Sequence, residues 1–346
     1  MNVRLYLAVF AVAFLPINAA AQGFAGLGQT VDGYAQPSKE LRFNFPSDHG
    51  PHPTFRIEWW YVTANLEGPN GTPYGIQWTL FRNALNPDGE DGDQTWMAHA
   101  AISSPEGHFV AERLARGELG HAGVSAEPFT AFIDEWTLSG PSLNDISLTA
   151  QGTDFSIALK LVSNKSFVPQ GENGYSVKAE GGLASHYYSQ PFYSVTGTLT
   201  LPSGDVEVTG QGWLDREWSS QPLAPTQTGW DWVSIHFENG EKLMAFQLRD
   251  ESGSNYTVGT WITASGEPSP FEPGEIVMDE VSKARVSDRD IPVVWDLEIP
   301  SRAVDLRIRA YYPQSWMNTS VSYWEGPVEV SGSHNGVGYL EMTGYE

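Results

Sequence analysis

The chain has 346 residues, a formal net charge of −23 and no Cys. That charge argues against nucleic acid as a partner, because neutralising phosphates needs Lys and Arg, and it disfavours tight binding to anionic lipid headgroups. The missing Cys excludes disulfides, a lipobox and thiolate chemistry.

Residues 1–21 carry Arg4, an apolar run from Leu5 to Leu15 and then small residues, with Ala19-Ala20-Ala21 before Gln22. This pattern predicts a secretory signal cleaved near Ala21 and a secreted or periplasmic mature protein. The apolar run is too short to span a bilayer and no other stretch reaches that length, so no stable membrane insertion is expected. Residues 22–45 read as an irregular N-terminal segment.

From about residue 50 onward, short segments of period-two alternation follow one another: "IEWWYVTANLE", "YGIQWTLFRNAL", "TWMAHAAISS", and later "YSVTGTLTL", "VEVTGQGWLDREW", "WDWVSIHFE" and "KLMAFQLRD". Turns such as "GPNGTP" and "NPDGEDGD" separate them. Strands at this spacing predict an all-β chain of antiparallel sheets closing into barrels or sandwiches.

One segment recurs. Trp59 to Glu67 aligns with Trp230 to Glu238, with three of nine positions identical. Each copy is followed by a Gly turn, a strand with Gln (Gln77, Gln247) and then an Arg (Arg82, Arg249). The shared order points to duplication and to two β-domains, 46–218 and 230–346. The Ser-, Thr- and Pro-rich "SSQPLAPTQTG" at 219–229 reads as the linker. A second long loop, "SNKSFVPQGENGYSVKAEGGLAS", lies inside the first half and has the length of a lid or of mobile decoration.

The strongest chemical constellation is "GWLDREWSS". In a strand, Trp213, Asp215 and Glu217 face one way, and Leu214, Arg216 and Trp218 the other. Two carboxylates beside an indole suit acid–base work if buried, because desolvation lets a carboxyl keep its proton nearer neutral pH. The same carboxylates can instead pair with Arg82, Arg216 or Arg249 and only fix the strand. Around the first repeat, Glu58 and Trp60 share one face while Trp59 and Tyr61 share the other, so one Trp can be core while its neighbour lines a cavity. Trp59 and Trp230 are expected to be shared wall, and Trp232 and Tyr188 further ligand contacts; the Tyr188 cluster equally suits half-buried packing with wet hydroxyls. "DHGPH" matches no metal spacing, so no metal is expected. His99, His186 and His236 read as hydrogen-bonded structural residues.

The blocks "SDHGPHPTFRIEWWYVTANLE", "GWLDREWSSQ", "GWDWVSIHF" and "YWEGPVEVSG…GVGYLEMTGY" resemble the AttH and carotenoid 1,2-hydratase family, also called hydroxyneurosporene synthase, over nearly the whole mature chain. The resemblance implies tandem lipocalin-like barrels around an elongated apolar ligand, and water addition to an isoprenoid double bond without a cofactor. For such a reaction Asp215 and Glu58 are the candidate acids. Trp218 and Trp60 are the candidate cation-stabilising faces, and Glu217 and Asp231 the candidate water-activating carboxylates. Two positions depart from the pattern: Arg216 stands where members often have a proton-transferring His, and Phe246 where a Tyr would supply a hydroxyl. Arg does not release a proton at useful pH, so both departures count against hydratase activity and leave the fold untouched. A second reading is a non-catalytic periplasmic lipid-binding protein or ABC-transporter accessory, since the resemblance extends to relatives of which some are encoded beside ABC-transporter permeases. A third is a secreted hydrolase.

Overall fold

A computed structural model describes residues 32–345; the predicted signal and its cleavage site lie outside the described residues. The described chain is all-β apart from short 3-10 turns such as Ser47–His49. It folds as two antiparallel sheets in a lipocalin-like arrangement, the first curled into a nearly closed barrel and the second into a half-barrel.

The first sheet has 13 strands and runs from Ile57 to Ser219. Its opening strand, Ile57–Glu67, sits between the next strand, Pro73–Ala84, and the last, Gly204–Ser219. The second sheet has 10 strands, and its opening strand Gln227–Phe237 sits likewise between Lys242–Asp250 and the last strand, Gly336–Met342. The two copies of the repeated segment therefore hold equivalent places. The second of these strands starts at Gln227, inside the stretch read as linker, because Gln227 already pairs with Asp250.

Side-chain alternation sorts each opening strand between two environments. Trp60, Val62, Ala64 and Leu66 fill the barrel with Trp78, Leu214 and Trp218. Tyr61 and, at the margin, Trp59 point outward and join Trp213, Tyr187, Trp232, Phe246 and Tyr339 in a cluster drawn from both sheets. In the second copy Val233, Ile235 and Phe237 fill the half-barrel, while Trp230 and Trp232 face the first sheet. "EWWY" carries adjacent tryptophans because this strand is buried on both faces; a strand with one wet face alternates apolar with polar.

Residues 35–56 cross the end of the first barrel. Phe43 and Phe45 meet Tyr188 edge-on at 5.1 and 4.9 Å, and His52 stacks on Trp218 at 3.9 Å.

Candidate functional site

A cavity of about 280 Å³ lies between the outer face of the barrel and the half-barrel, and residues of both sheets line it. The ligand space implied by the resemblance is the barrel interior. Here both interiors are packed with side chains, and the space lies between the sheets. Trp59, Trp230, Trp232, Phe81 and Phe246 supply aromatic walls; Asp215, Glu217, Glu341, Lys178, His99, Tyr187 and Tyr323 are among the polar groups.

Asp215 and Glu217 share this face, as their spacing requires. Asp215 is 2 % exposed. Tyr187 donates to its Oδ2 at 2.6 Å, and Ser189 and the Trp213 indole donate to its Oδ1 at 2.5 and 2.6 Å. These bonds favour the anion, but burial outweighs them and pushes the carboxyl up to about 7. No cation pairs with it among the described residues. Glu217 is different: Lys178 Nζ lies 2.9 Å away and Ser185 donates a hydroxyl bond. The Lys178 ammonium also sits over the rings of Phe246, at 4.2 Å, and Tyr187, at 5.0 Å. Half-buried Glu341 accepts from the Trp230 indole at 2.5 Å; burial first, then the charges of Asp215 and Glu217, raise it to about 7.

The even-numbered partners of these residues turn into the barrel. Glu58 is 0 % exposed and pairs with both Arg82 and Arg216. It also accepts the His52 backbone N–H at 2.9 and 3.1 Å. Burial would raise this carboxyl, but the Arg216 and Arg82 guanidiniums together hold it far below the usual range. Arg216 lies over the Trp60 ring at 3.8 Å and also bonds the Gly50 carbonyl, while Arg82 caps the carbonyls of His52 and Phe55 at 2.9 and 2.8 Å. Tyr188 bonds His49 Nδ1 at 2.7 Å inside the same barrel. Glu58, Trp60, Trp218 and Tyr188 thus lie outside the cavity lining, in a buried polar network that fastens the N-terminal segment to the barrel. An anion held by two guanidiniums has no proton to give. Arg216, where the sequence departs from the pattern that the resemblance implies, belongs to this network and lies outside the cavity lining.

Asp231 is the half-barrel counterpart. It pairs with Arg249 and accepts from Gln247 at 3.2 Å and Tyr345 at 3.0 Å, outside the cavity lining. This explains the difference between the repeats. Arg82 lies opposite Glu58, and Arg249 opposite Gly229. A Cβ at Gly229 would come within 2.5 Å of Arg249 Nη2 and the Thr343 carbonyl. In the second copy the carboxylate therefore stands two residues further along the same face.

Of the candidate residues, Asp215, Glu217, Trp59, Trp230 and Trp232 meet in one cavity. Lys178, Glu341, Tyr187 and Tyr323 join them from segments not singled out for chemistry. Lys178 comes from the long loop inside the first half, whose length was its only signal. Tyr323 and Glu341 come from the closing block "YWEGPVEV…GYLEM". No group of His, Cys, Asp and Glu suited to a metal ion occurs among the described residues.

An all-β pair of lipocalin-like sheets enclosing an aromatic cavity with a protonated-range carboxyl is the class these features define. The chain belongs to the AttH-like family, which it matches over residues 35–345. It is similar to the crystal structure of an AttH protein from Nitrosomonas europaea, at 33 % identity and a TM-score of 0.83, covering 90 % of this chain and 99 % of that one. It shares its fold with kievitone hydratase from Nectria haematococca, at 14 % identity and a TM-score of 0.68, over 90 % and 96 % of the two chains. No curated protein matches it.

Proposed function

We propose that the cavity between the sheets adds water across a C=C bond of a hydrophobic, isoprenoid- or lipid-like ligand. The observation that carries this reading is Asp215: a buried carboxyl without a cationic partner, held near 7 beside three cavity-lining tryptophans. A carboxyl tuned to that range delivers a proton at neutral pH. Protonation of a branched alkene leaves a tertiary carbocation, and the indoles of Trp59, Trp230 and Trp232 offer it electron-rich faces. Lys178 would oppose a cation, but Glu217 neutralises it at 2.9 Å. In this reading the same Glu217 carboxylate orients the attacking water. About 280 Å³ is small for a ligand site; it suits a short terpenoid or the reacting end of a longer chain. The kinship of fold with a hydratase supports the reaction class.

Incubation with acyclic carotenoids or polyprenols in ¹⁸O-water, followed by mass spectrometry, tests this. The expected product is a labelled alcohol, and Asp215→Asn should lower its rate about 10²- to 10⁴-fold. A folded sample that yields no labelled alcohol yet copurifies with lipid would instead establish the lipid-binding reading.

A further inference from the structure

Among the cavity-wall hydroxyls that this scheme leaves unused, Tyr323 is the one bonded to a cavity-lining histidine. Tyr323 opens the strand Tyr323–Gly332 of the second sheet and lines the cavity. Its hydroxyl lies 2.9 Å from His99 Nδ1, and the two rings stack at 5.6 Å. His99 sits mid-strand in Gln94–Ser104 of the first sheet, fully buried, and lines the same cavity. Its other nitrogen, Nε2, lies 3.1 Å from Oε1 of Glu112, its direct neighbour across the ladder.

Glu112 reaches the surface, with 23 % of its side chain exposed. The His99 hydrogen bond, aided by the Ser320 hydroxyl and backbone N–H, holds this carboxyl down to about 2. The Glu112 oxygen beside Nε2 accepts an N–H there, which turns Nδ1 toward the Tyr323 hydroxyl as the acceptor in the Nε2–H tautomer. That leaves Nδ1 bare to accept the phenol proton, in competition with the buried Glu325 carboxyl; burial and the Glu325 charge and hydrogen bond hold this phenol well above its usual range, so its proton leaves only as another arrives. Gln77 donates to the phenol oxygen at 3.4 Å, and Phe81 closes edge-on over the imidazole at 5.7 Å. Phenol, imidazole and carboxylate form one line from the cavity to solvent, assembled from both sheets.

We propose that Tyr323 is the oxygen-handling group of the cavity, binding the oxygen of the attacking water or of a ligand hydroxyl and passing its proton through His99 toward Glu112. Its chemistry rests on the water-addition reading above. Asp215 gives its proton to one alkene carbon, and the water oxygen bonds to the other. The phenol oxygen takes one water proton as its own moves to His99 Nδ1. What remains is the alcohol, an Asp215 carboxylate and an imidazolium against Glu112. Loss of the His99 proton to bulk water and return of one to Asp215 close the cycle with one water consumed. Tyr323 touches the reacting oxygen, whereas Glu112 is a positioning residue.

The test uses the full chain and two probes, the tertiary isoprenoid alcohol linalool and the hydrocarbon myrcene, titrated by intrinsic tryptophan fluorescence. Wild type is expected to prefer linalool. Tyr323→Phe should weaken linalool about 10-fold and leave myrcene unchanged. A preference that survives in Tyr323→Phe, or a folded wild type that shows none, overturns the assignment. Nitrogen-15 NMR of His99 supplies the relay readout: the Nε2–H tautomer is expected, with Nδ1 moved by Tyr323→Phe and the tautomer balance moved by Glu112→Gln. The opposite tautomer, or an Nδ1 signal indifferent to Tyr323→Phe, refutes the relay. Neither measurement needs turnover. A protein that prefers linalool but hydrates nothing sinks the hydratase reading and leaves Tyr323 as the oxygen site.

Discussion

Asp215→Asn tests the origin of the site's acidity through stability. Unfolded, Asp215 titrates at its ordinary 3.8; folded, it keeps its proton to about 7. Between those values the unfolded chain binds fewer protons than the folded one, so stability falls as pH rises. The contribution is complete below 3.8 and lost by about 7. At about 1.36 kcal/mol per pKa unit, that interval is worth about 4 kcal/mol. Asn cannot ionise and escapes this loss. It also disturbs the bonds from Tyr187, Ser189 and Trp213, a cost largely independent of pH. Urea unfolding of both proteins at about pH 4 and about pH 8 isolates the carboxyl. The variant's stability relative to wild type should grow by about 4 kcal/mol from the lower to the higher pH. Glu341 titrates in both proteins, but the Asp215 charge is part of what raises it, so the difference also carries the share of the Glu341 shift that the variant loses. A difference that stays flat with pH, or that moves in favour of wild type, refutes the claim that burial holds this proton.

Substitutions on the two faces of the same strands should have separable effects. Arg216→Ala strands part of the Glu58 charge in the barrel and should cost about 3–5 kcal/mol in chemical denaturation. Arg216→His should bring no gain in alcohol formation, because that side chain faces away from the cavity. Trp60→Ala should destabilise by about 3–5 kcal/mol while ligand affinity measured on the folded protein stays the same. Trp232→Ala should do the reverse in emphasis, weakening ligand binding about 10-fold by fluorescence titration.

The division of each strand into two faces was legible in the sequence, because side-chain alternation is a property of any extended chain. Asp215 and Glu217 were assigned to one face and Arg216 and Trp218 to the other, and the structure has them so. Which face carries the site was not legible. Both faces of "EWWY" and "WLDREW" are buried, so composition does not mark either as the wet one. The motif residues Glu58, Trp60, Arg216 and Trp218 look chemical because a carboxylate, guanidinium and indoles stand together, yet they hold the N-terminal segment on the barrel. The repeat of Trp59 and Trp230 was the better guide: both tryptophans face the boundary between the sheets.

The all-β class, the repeat of the opening strand and the alternation of its side chains follow from local periodicity and turn chemistry, which the chain carries before it folds. Tertiary structure alone decided that the two outer faces meet, that Lys178 pairs with Glu217, and that Tyr323, His99 and Glu112 align across both halves. Those contacts join residues far apart in the chain. The pKa of Asp215 likewise depends on how completely the second sheet and the loop carrying Lys178 remove water from it, a quantity no single strand contains.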